Sequence, residues 1–344
     1  MVGSLAAASL TMRSTRNQEG LPDATRLVKP EVMARICPLG QGASQGPSRL
    51  AVPIEFLAAV SSEFAAETAV KARAMGIGLL RTEFMFADYP EEPTHTTQVA
   101  SYRRIADLFP QLHVAIRTWD CGPDKPLRFL TERSVRRGIR AYPMLTDILD
   151  RQLSAIAQAA QGSSALVGVM APMVSLPEEL EWFVQRCRDH GLSRIGTMLE
   201  TPALAVMIDD VVKLVDFICV GTGDLASGAF GASRDSPFDS SYFDLWQPAT
   251  LRVINMIAKG CQVNSTPLSV CVSSPTDTLI FAVLAGIGVE ATAVPAAQLM
   301  RIRDSFTEVS TEQCVKTAAA ALSQPTAKAA RSAAYSAFSA NQRL

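Results

Sequence analysis

Two acidic residues stand at the ends of neighbouring apolar segments, where their carboxylates could bind a divalent metal ion. Glu200 ends the segment IGTMLE (195–200), and Asp224 follows FICVG (217–221) in the run VGTGD. Magnesium in proteins takes one or two carboxylates and completes its octahedral shell with water and with phosphate or carboxylate oxygens of a substrate. The pair therefore predicts a magnesium site. The simpler alternative is that each carboxylate only caps the helix behind it.

Basic residues stand at equivalent positions and indicate that the ligand is an anion with several oxygens. Four of them end or follow apolar segments: Arg81, Arg117, Lys125 and Arg234. The planar guanidinium of Arg matches phosphate or carboxylate, and the ammonium of Lys acts as a point charge. The group predicts a small phosphorylated substrate. The alternative is that Arg81 or Arg117 forms an ion pair at the rim with Glu83 or Asp120.

A thiol joins this set. Cys271 lies at the end of the apolar segment PLSVCV (267–272), whereas the other six cysteines are scattered through the chain without CxxC spacing. That pattern predicts neither a disulfide framework nor a zinc site. Packing in the core is the usual role of a cysteine. Next to an anion site, however, Cys271 is also a candidate acid or nucleophile.

Alternating segments must position these side chains. Eight short apolar segments are separated by helical stretches, and they cover residues 52–60, 77–80, 113–117, 166–173, 195–200, 217–221, 267–272 and 288–294. This alternation is typical of a parallel sheet. Residues 51–306 are close to the roughly 250 residues of a (β/α)₈ TIM barrel, which places its active site at the carboxyl ends of the strands. We predict an α/β protein with this barrel, and a doubly wound open sheet is the alternative.

Composition limits the domain organisation and the classes of partner. Residues 1–50 are rich in Ser, Gly, Pro and Arg and are predicted to be a poorly ordered leader or linker remnant. The barrel is expected over 51–309, and a helical tail over 310–344. The chain has 32 Lys and Arg against 33 Asp and Glu, so it lacks the basic excess of nucleic-acid or membrane-surface binders. No apolar run is long enough for a membrane span or a signal peptide, which predicts a cytoplasmic protein.

Several stretches of the sequence resemble a known family. They are GIGLLRTEFMF, IRTWDCGPDKPL, APMVSLPEELEWF, GTMLETPALA, VGTGDL, LWQPATLRVI and SVCVS, in this order over residues 52–306. They resemble the phosphoenolpyruvate-binding C-terminal barrel of enzyme I of the bacterial sugar phosphotransferase system. Phosphoenolpyruvate synthase and pyruvate phosphate dikinase belong to the same wider group. RTEF, the RT-x-D-x-G-x-DK run and ETP are together highly specific.

The resemblance implies a role for each candidate residue. Phosphoenolpyruvate would be bound by Arg81, Arg117, Lys125, Arg140 (in RGIRAYP) and Arg234. Glu200 and Asp224 would hold Mg²⁺, and Cys271 would be the acid that protonates the enolate carbon. The phosphoryl group would pass to a histidine, with the metal and the arginines stabilising the developing charge.

The sequence also departs from the family around the predicted metal and thiol residues. Gly223 stands where the family has a substrate-binding Asn in GTNDL, and Val272-Ser273 stand where the family has Gly-Glu after the cysteine. The TQY of the family is replaced by residues 226–228, Ala-Ser-Gly. These differences predict slow turnover. They also keep open a non-catalytic module that binds phosphoenolpyruvate or pyruvate, or that serves dimerisation.

The acceptor histidine of enzyme I has no counterpart here. The sequence contains three histidines, at positions 95, 113 and 190, and none stands in the family's GGxxSH setting. We therefore expect a half-reaction with a histidine-bearing phosphocarrier domain supplied in trans, and a homodimer as in the family. A lyase related to malyl- or citryl-CoA enzymes is a further alternative, against which the RTEF and DK runs count.

Overall fold

The computed structural model of the protein describes residues 54–120, 122, 127–130, 137–273, 275, 277–306 and 309–340. The predicted leader, residues 1–50, lies outside the described residues. Lys125 lies outside them as well.

Eight parallel strands form a closed barrel in sequence order, with β8 paired to β1. The strands are β1 (Glu55–Val60), β2 (Gly76–Arg81), β3 (His113–Arg117), β4 (Leu166–Ala171), β5 (Ile195–Leu199), β6 (Phe217–Gly221), β7 (Leu268–Cys271) and β8 (Ala291–Pro295). Each strand lies within or close to one of the predicted apolar segments. The predicted TIM barrel is confirmed, and the open sheet is wrong because β1 and β8 close the ring.

Helices follow the strands around the outside of the barrel. They are α1 (Glu63–Lys71), α2 (Thr82–Met85), α3 (His95–Asp107), α4 (Thr146–Gln161), α5 (Pro177–Asp189), α6 (Pro202–Val206), α7 (Ile208–Val211), α8 (Thr222–Phe230), α9 (Pro248–Asn264), α10 (Leu279–Ile287) and α11 (Ala296–Asp304). Two 3₁₀ helices, Gly138–Met144 and Pro237–Phe243, lie in the loops after β3 and β6. Two short helices, α6 and α7, follow β5, because the backbone leaves helical geometry at Met207 between them.

Local sequence signals explain where helices begin. Pro177 occupies the first turn of α5, where a missing N–H costs nothing, and the Glu179 carboxylate accepts hydrogen bonds from the backbone N–H of Leu176 (3.1 Å) and Ser175 (2.8 Å). At α1, the Ser62 hydroxyl accepts a hydrogen bond from the N–H of Ala65 at 3.1 Å. These caps set the point at which the chain turns from strand end to helix.

The barrel has a separate apolar core inside the ring of strands. It contains Leu57, Ala59, Leu79, Ala115, Met170, Met198, Phe217, Cys219, Cys271, Ala291 and Ala293. Phe217 fills the amino end, and the glycines beside it make room for its ring. A Cβ atom at Gly196 would lie 2.5 Å from that ring, and one at Gly168 would lie 2.8 Å from it. At the carboxyl end the inward residues include Ala59 and Gly221, whose small size leaves a cavity.

Two further helices, α12 (Thr311–Leu322) and α13 (Ala327–Ala340), follow the barrel. α12 approaches α10 so closely that a Cβ atom at Gly286 would lie 2.0 Å from the Cys314 carbonyl oxygen. Arg331 of α13 pairs with Asp244 at 3.1 Å, in the segment between β6 and α9. Among the described residues, no helix is long and apolar enough to cross a membrane.

Candidate active site

The cavity at the carboxyl end of the barrel collects most of the predicted site residues. It is lined by Ala59, Leu79, Arg81, Phe84, Arg117, Met198, Glu200, Gly221, Thr222, Gly223, Asp224, Arg234, Cys271, Ser273 and Pro295. Each charged group comes from the end of a strand or from the loop that follows it. Seven of the nine predicted site residues therefore meet in one place. Of the remaining two, Lys125 lies outside the described residues, and Arg140 does not line the cavity.

Arg81 is the cation of this cavity that lacks an anionic partner within the described part of the chain. Its guanidinium lies over the ring of Phe84, with 5.1 Å between Cζ and the ring centroid. Its Nε is buried and has no hydrogen-bond partner among the described residues. Of the ion pairs considered as an alternative, the one between Arg81 and Glu83 is not formed, and Glu83 pairs with Arg117. A buried donor without a partner costs free energy, and an anionic ligand would satisfy it.

Arg117 lies deeper and is held on two sides by carboxylates. Its Nη2 pairs with Glu83 Oε1, and its Nη1 lies 3.1 Å from Asp120 Oδ2. The Arg117 side chain is 3% exposed, so this is a buried cluster and not the rim pair considered above. Burial lowers the pKa of the Arg117 guanidinium. The charges of Glu83, Asp120 and Glu200 outweigh that effect, so the pKa lies above its ordinary range.

Buried hydrogen bonds fix the backbone around Arg117. Thr82 Oγ1 donates to the Arg117 carbonyl oxygen at 2.8 Å, and Gln152 Nε2 donates to Thr82 Oγ1 at 3.2 Å. Gln152 Oε1 accepts the N–H of Trp119 at 3.0 Å. Gln152 was not predicted. The sequence does point to it, because a glutamine on the apolar face of a helix, beside Leu149, needs a buried polar partner.

Glu200 reaches the cavity from the end of β5 and is almost completely buried. Its Oε1 accepts the N–H of Met173 at 2.7 Å. A Cβ atom at position 221 would lie 2.6 Å from Glu200 Oε2, so only a glycine at the end of β6 leaves room for this carboxylate. The carboxylate is therefore positioned by two neighbouring strands, and it does not act as a helix cap.

Asp224 lies in the first turn of α8 and pairs with two arginines. Its Oδ1 lies 2.8 Å from Arg137 Nη1, and its Oδ2 lies 3.0 Å from Arg234 Nη2. Arg137 was not predicted. Arg140 of the same RRGIR run was predicted instead, but its guanidinium is exposed and donates to the Ser175 hydroxyl. Of the two described arginines of this run, Arg137 is the one whose guanidinium reaches a predicted site residue.

The donor set suits a hard divalent cation. Glu200 and Asp224 follow adjacent strands and line the same cavity. Two carboxylates are the protein contribution that Mg²⁺ normally accepts, with the remaining positions filled by water and substrate oxygens. Within the described residues no group of three or more His, Cys, Asp or Glu side chains forms a metal site. The pair therefore fits a metal that shares its coordination with a bound substrate.

Cys271 is buried at the end of β7 with its thiol facing the cavity. Burial raises the pKa of the Cys271 thiol above its ordinary value, while Arg81 and Arg117 act in the opposite direction. Thr222 Oγ1 donates to the Cys271 carbonyl oxygen at 2.9 Å and fixes the strand end. The thiol thus stays protonated at neutral pH, which is the state required of a proton donor.

All three histidines lie within the described residues, and none lines the cavity. His113 is buried at the amino end of the barrel, 5.1 Å from Phe217 between ring centroids. His95 contacts Ser154, and His190 contacts Asp150. None of them is placed to accept a group from a ligand in this cavity.

The sequence matches the family model described as PEP-utilising enzyme, PEP-binding domain, over residues 48–311. A phosphoenolpyruvate-protein phosphotransferase of Streptomyces coelicolor is 36% identical over 294 residues, which are 83% of this chain and 53% of that protein. A phosphoenolpyruvate-protein phosphotransferase of Haloferax volcanii is 31% identical over 76% of this chain and 49% of that protein. The chain spans about half the length of these two relatives.

Among solved structures, an HpcH/HpaI aldolase/citrate lyase family protein from Burkholderia cenocepacia J2315 covers 75% of this chain and 95% of its own. It has a TM-score of 0.47 and 12% sequence identity. At that TM-score the similarity carries no weight for function. The match over residues 48–311 covers the whole barrel and every residue of the cavity. The chain therefore belongs to the family of PEP-utilising enzymes and carries their PEP-binding domain.

Proposed function

We propose that this barrel binds phosphoenolpyruvate with Mg²⁺ and transfers its phosphoryl group to a histidine supplied in trans, releasing pyruvate. The observation that carries the proposal is the convergence, in one cavity, of Arg81, which has no anionic partner among the described residues, the carboxylates Glu200 and Asp224 and the buried thiol of Cys271. The names of two relatives, phosphoenolpyruvate-protein phosphotransferases, support the same reaction class.

The phosphate is assigned to the arginines. The Arg81 guanidinium is available for two parallel hydrogen bonds to phosphate oxygens, because no described carboxylate holds it. Arg117, which lies deeper in the cavity than Arg81, contributes a fixed positive charge, since Glu83 and Asp120 keep its guanidinium in place. A preorganised cation of this kind stabilises charge on the transferring group without moving during the reaction. Lys125 and Arg140 remain part of the proposal through the family resemblance alone.

Glu200 and Asp224 are assigned to the metal. When bound, Mg²⁺ would neutralise negative charge on the phosphoryl oxygens and on the enolate oxygen. Glu200 is held in place by the Met173 N–H, so its position does not depend on a ligand. Asp224 is held by Arg137 and Arg234, and these arginines would compete with a cation for its oxygens.

Cys271 is assigned the proton transfer. As the bond between phosphorus and the enol oxygen breaks, the phosphoryl group passes to a histidine nitrogen and the electron pair of that bond stays on the oxygen, which leaves the enolate of pyruvate. The Cys271 sulfur then gives its proton to C3, and the resulting ketone is pyruvate. The thiolate regains a proton from solvent. Burial favours the protonated thiol that this step needs.

The acceptor and the assembly complete the proposal. The three histidines of the chain lie away from the cavity, so the acceptor is assigned to a separate phosphocarrier domain. A multiphosphoryl transfer protein of Rhodobacter capsulatus, 33% identical over 69% of this chain and 30% of its own length, is in line with such a relay.

We also propose a homodimer, for which light scattering should give twice the 36.9 kDa of one chain.

A thermal-shift measurement tests binding and the metal together. Phosphoenolpyruvate should raise the melting temperature only when Mg²⁺ or Mn²⁺ is present, because a ligand that binds only the folded state stabilises by mass action. Glu200→Gln or Asp224→Asn should remove the shift and leave a cooperative unfolding transition. An equal shift in EDTA would exclude the metal from the binding site.

Transfer is tested by adding the detached histidine domain of an enzyme I. The chain alone should stay unphosphorylated with phosphoenolpyruvate and Mg²⁺, and pyruvate should form only after the domain is added. Binding without pyruvate, for the parent and for the Gly223→Asn/Ser273→Glu variant, would replace catalysis by the non-catalytic binding module. That outcome would leave the ligand assignment intact.

A further inference from the structure

The Asp224 carboxylate is occupied on both of its oxygens. Arg137 pairs with Oδ1 at 2.8 Å and Arg234 pairs with Oδ2 at 3.0 Å, and we name this arrangement the arginine clamp. The Asp224 side chain is 8% exposed, and its partners are 24% (Arg137) and 42% (Arg234) exposed, so solvent screens the Arg234 pair more than the Arg137 pair. A cation that approaches Asp224 meets a carboxylate already neutralised by two guanidinium groups.

We propose that the arginine clamp keeps Asp224 from binding metal until an anionic substrate takes over the arginines, and that Gly223 makes the clamp possible. This inference rests on the proposed function, since it assigns Asp224 to the metal. The metal and phosphoenolpyruvate would then each raise the affinity for the other, because the substrate draws Arg234 away from Asp224 and the metal takes its place there. The positive coupling between two ligands arises here from a shared set of side chains.

The two arginines of the clamp differ in mobility. Arg137 is 24% exposed and lies 3.7 Å from a second carboxylate, that of the buried Asp120, which restrains its guanidinium. Arg234 is 42% exposed and comes from the loop after α8. Within the described part of the chain it has no second ion-pair partner. Arg234 is therefore the arginine that can leave Asp224 and contact a substrate anion at little cost.

Gly223 provides the space in which Arg234 lies. A Cβ atom at position 223 would be 2.2 Å from Arg234 Nη2 and 2.6 Å from its Cζ. Real Cβ atoms do not approach other heavy atoms this closely, so any side chain at 223 displaces the guanidinium. The Asn that the family has at this position and the observed Arg234 conformation exclude each other. The arginine clamp on Asp224 therefore depends on the glycine that replaces the family's Asn at position 223.

Binding of Mn²⁺ alone to the full chain, followed by electron paramagnetic resonance, tests the clamp. Arg234→Ala should tighten Mn²⁺ binding in the absence of substrate, but removal of a positive charge would do so even without a specific ion pair. Gly223→Ala is the decisive variant, because it expels Arg234 and leaves the net charge unchanged. It should tighten Mn²⁺ binding roughly fivefold, as expected for loss of one competing ion pair.

Two further measurements separate the clamp from general effects. The Gly223→Ala/Arg234→Ala double variant should bind Mn²⁺ no more tightly than Arg234→Ala, because both changes act on the same pair. Phosphoenolpyruvate should enhance Mn²⁺ binding less in either variant than in the parent. Arg252→Ala, which removes an exposed arginine that contacts the Leu322 carbonyl oxygen, is the charge-matched control and should change nothing. Gly223→Ser serves if the Ala variant fails to fold.

The outcomes distinguish this inference from the proposed function. Unchanged or weaker Mn²⁺ binding by Gly223→Ala, in a parent that binds Mn²⁺ with phosphoenolpyruvate, would overturn the clamp and leave the proposed function standing. If the parent binds no Mn²⁺ even with phosphoenolpyruvate, the metal assignment fails and the clamp fails with it. Tighter binding by Gly223→Ala with additive behaviour in the double variant would also overturn the clamp.

Discussion

The two walls of the cavity are built on different principles. The β2–β3 wall carries Arg117 between Glu83 and Asp120, all three almost inaccessible to solvent and backed by buried hydrogen bonds. The β6–β7 wall, comprising residues 221–234 and 271–273, holds its charges closer to solvent, and its mobile cation Arg234 reaches Asp224 from a loop. The arginine that pairs on the first wall is buried, whereas the arginine that pairs on the second wall is partly exposed.

The departures from the family pattern lie on one of the two walls. Gly223, residues 226–228 and Val272-Ser273 all belong to the β6–β7 wall, and the RTEF and RT-x-D motifs of the other wall are intact. A change that removes one partner of a buried ion pair costs several kcal/mol. At Gly223 the neighbouring group is the end of the partly exposed Arg234 side chain, which can move to accommodate a substitution.

The largest expected difference between the walls is in stability. Arg117→Ala should lower the free energy of unfolding by about 3–5 kcal/mol, because it removes the buried cation that pairs with both Glu83 and Asp120. Arg234→Ala should lower it by less than about 1 kcal/mol, as is usual for exposed ion pairs. Urea unfolding of both variants measures the contrast. Similar losses for the two would show that the walls do not differ in this way.

Cys271 tests whether the β6–β7 wall performs chemistry. Cys271→Ala should reduce pyruvate formation by about 10²–10⁴-fold, the usual contribution of a general acid, and Cys271→Ser should be nearly as slow. Substrate binding should be preserved. A proton donor works only while protonated, and burial raises the pKa of the Cys271 thiol. An ordinary thiol has a pKa of about 8.5. The rate of pyruvate formation should therefore persist above that pH and fall only at higher pH.

The pH profile also connects the two walls. Arg81 and Arg117 lower the pKa of the Cys271 thiol and so oppose the effect of burial. Arg81→Gln removes one of these charges and should move the alkaline fall in rate to still higher pH. A rate that falls below pH 8.5 in the parent would show that another group is the donor.

Arg81 should dominate substrate affinity, since it is the cation on the β2–β3 wall without a described anionic partner. Arg81→Ala should weaken phosphoenolpyruvate binding by about ten- to a hundredfold, equal to roughly 1.5–3 kcal/mol for a charge-assisted contact. Arg140→Ala is the matched comparison, because Arg140 does not line the cavity. Titration calorimetry should show its affinity within about twofold of the parent. An equal loss of affinity in the Arg81→Ala and Arg140→Ala variants would show that Arg140 also contacts the substrate.

The smallest contrast concerns one glycine in each wall. A Cβ atom at Gly78 of β2 would lie 2.8 Å from Ala293 Cβ and 3.1 Å from Leu57 Cβ, in the packed interior of the barrel. Gly78→Ala should therefore lower the free energy of unfolding by about 1–3 kcal/mol. Gly223→Ala displaces only the end of an exposed arginine and should stay within about 0.5 kcal/mol of the parent. Thermal unfolding of the two variants compares them directly.

The barrel could be predicted from the sequence because the patterns that specify its strands and helices lie within short segments of the chain. A short apolar segment followed by an amphipathic stretch specifies strand and helix whatever the rest of the chain does. Eight repeats of that unit with parallel strands leave closure into a barrel as the expected result. The chemistry at the strand ends follows from the same pattern, because all carboxyl ends meet at one face. Arg81, Arg117, Glu200, Asp224 and Cys271 were predicted in this way, and the structure brings them together in one cavity.

The pairing of the side chains was decided only by the tertiary structure. Arg137 and Arg140 are equivalent by sequence, but the turn at Gly138, with a φ of +55°, separates their directions. Gln152 is one polar residue in a helix until the fold places it beside Thr82 and Trp119. The arginine clamp joins the loops after β3 and β6. Such contacts depend on distances between segments far apart in the chain, which local periodicity does not contain.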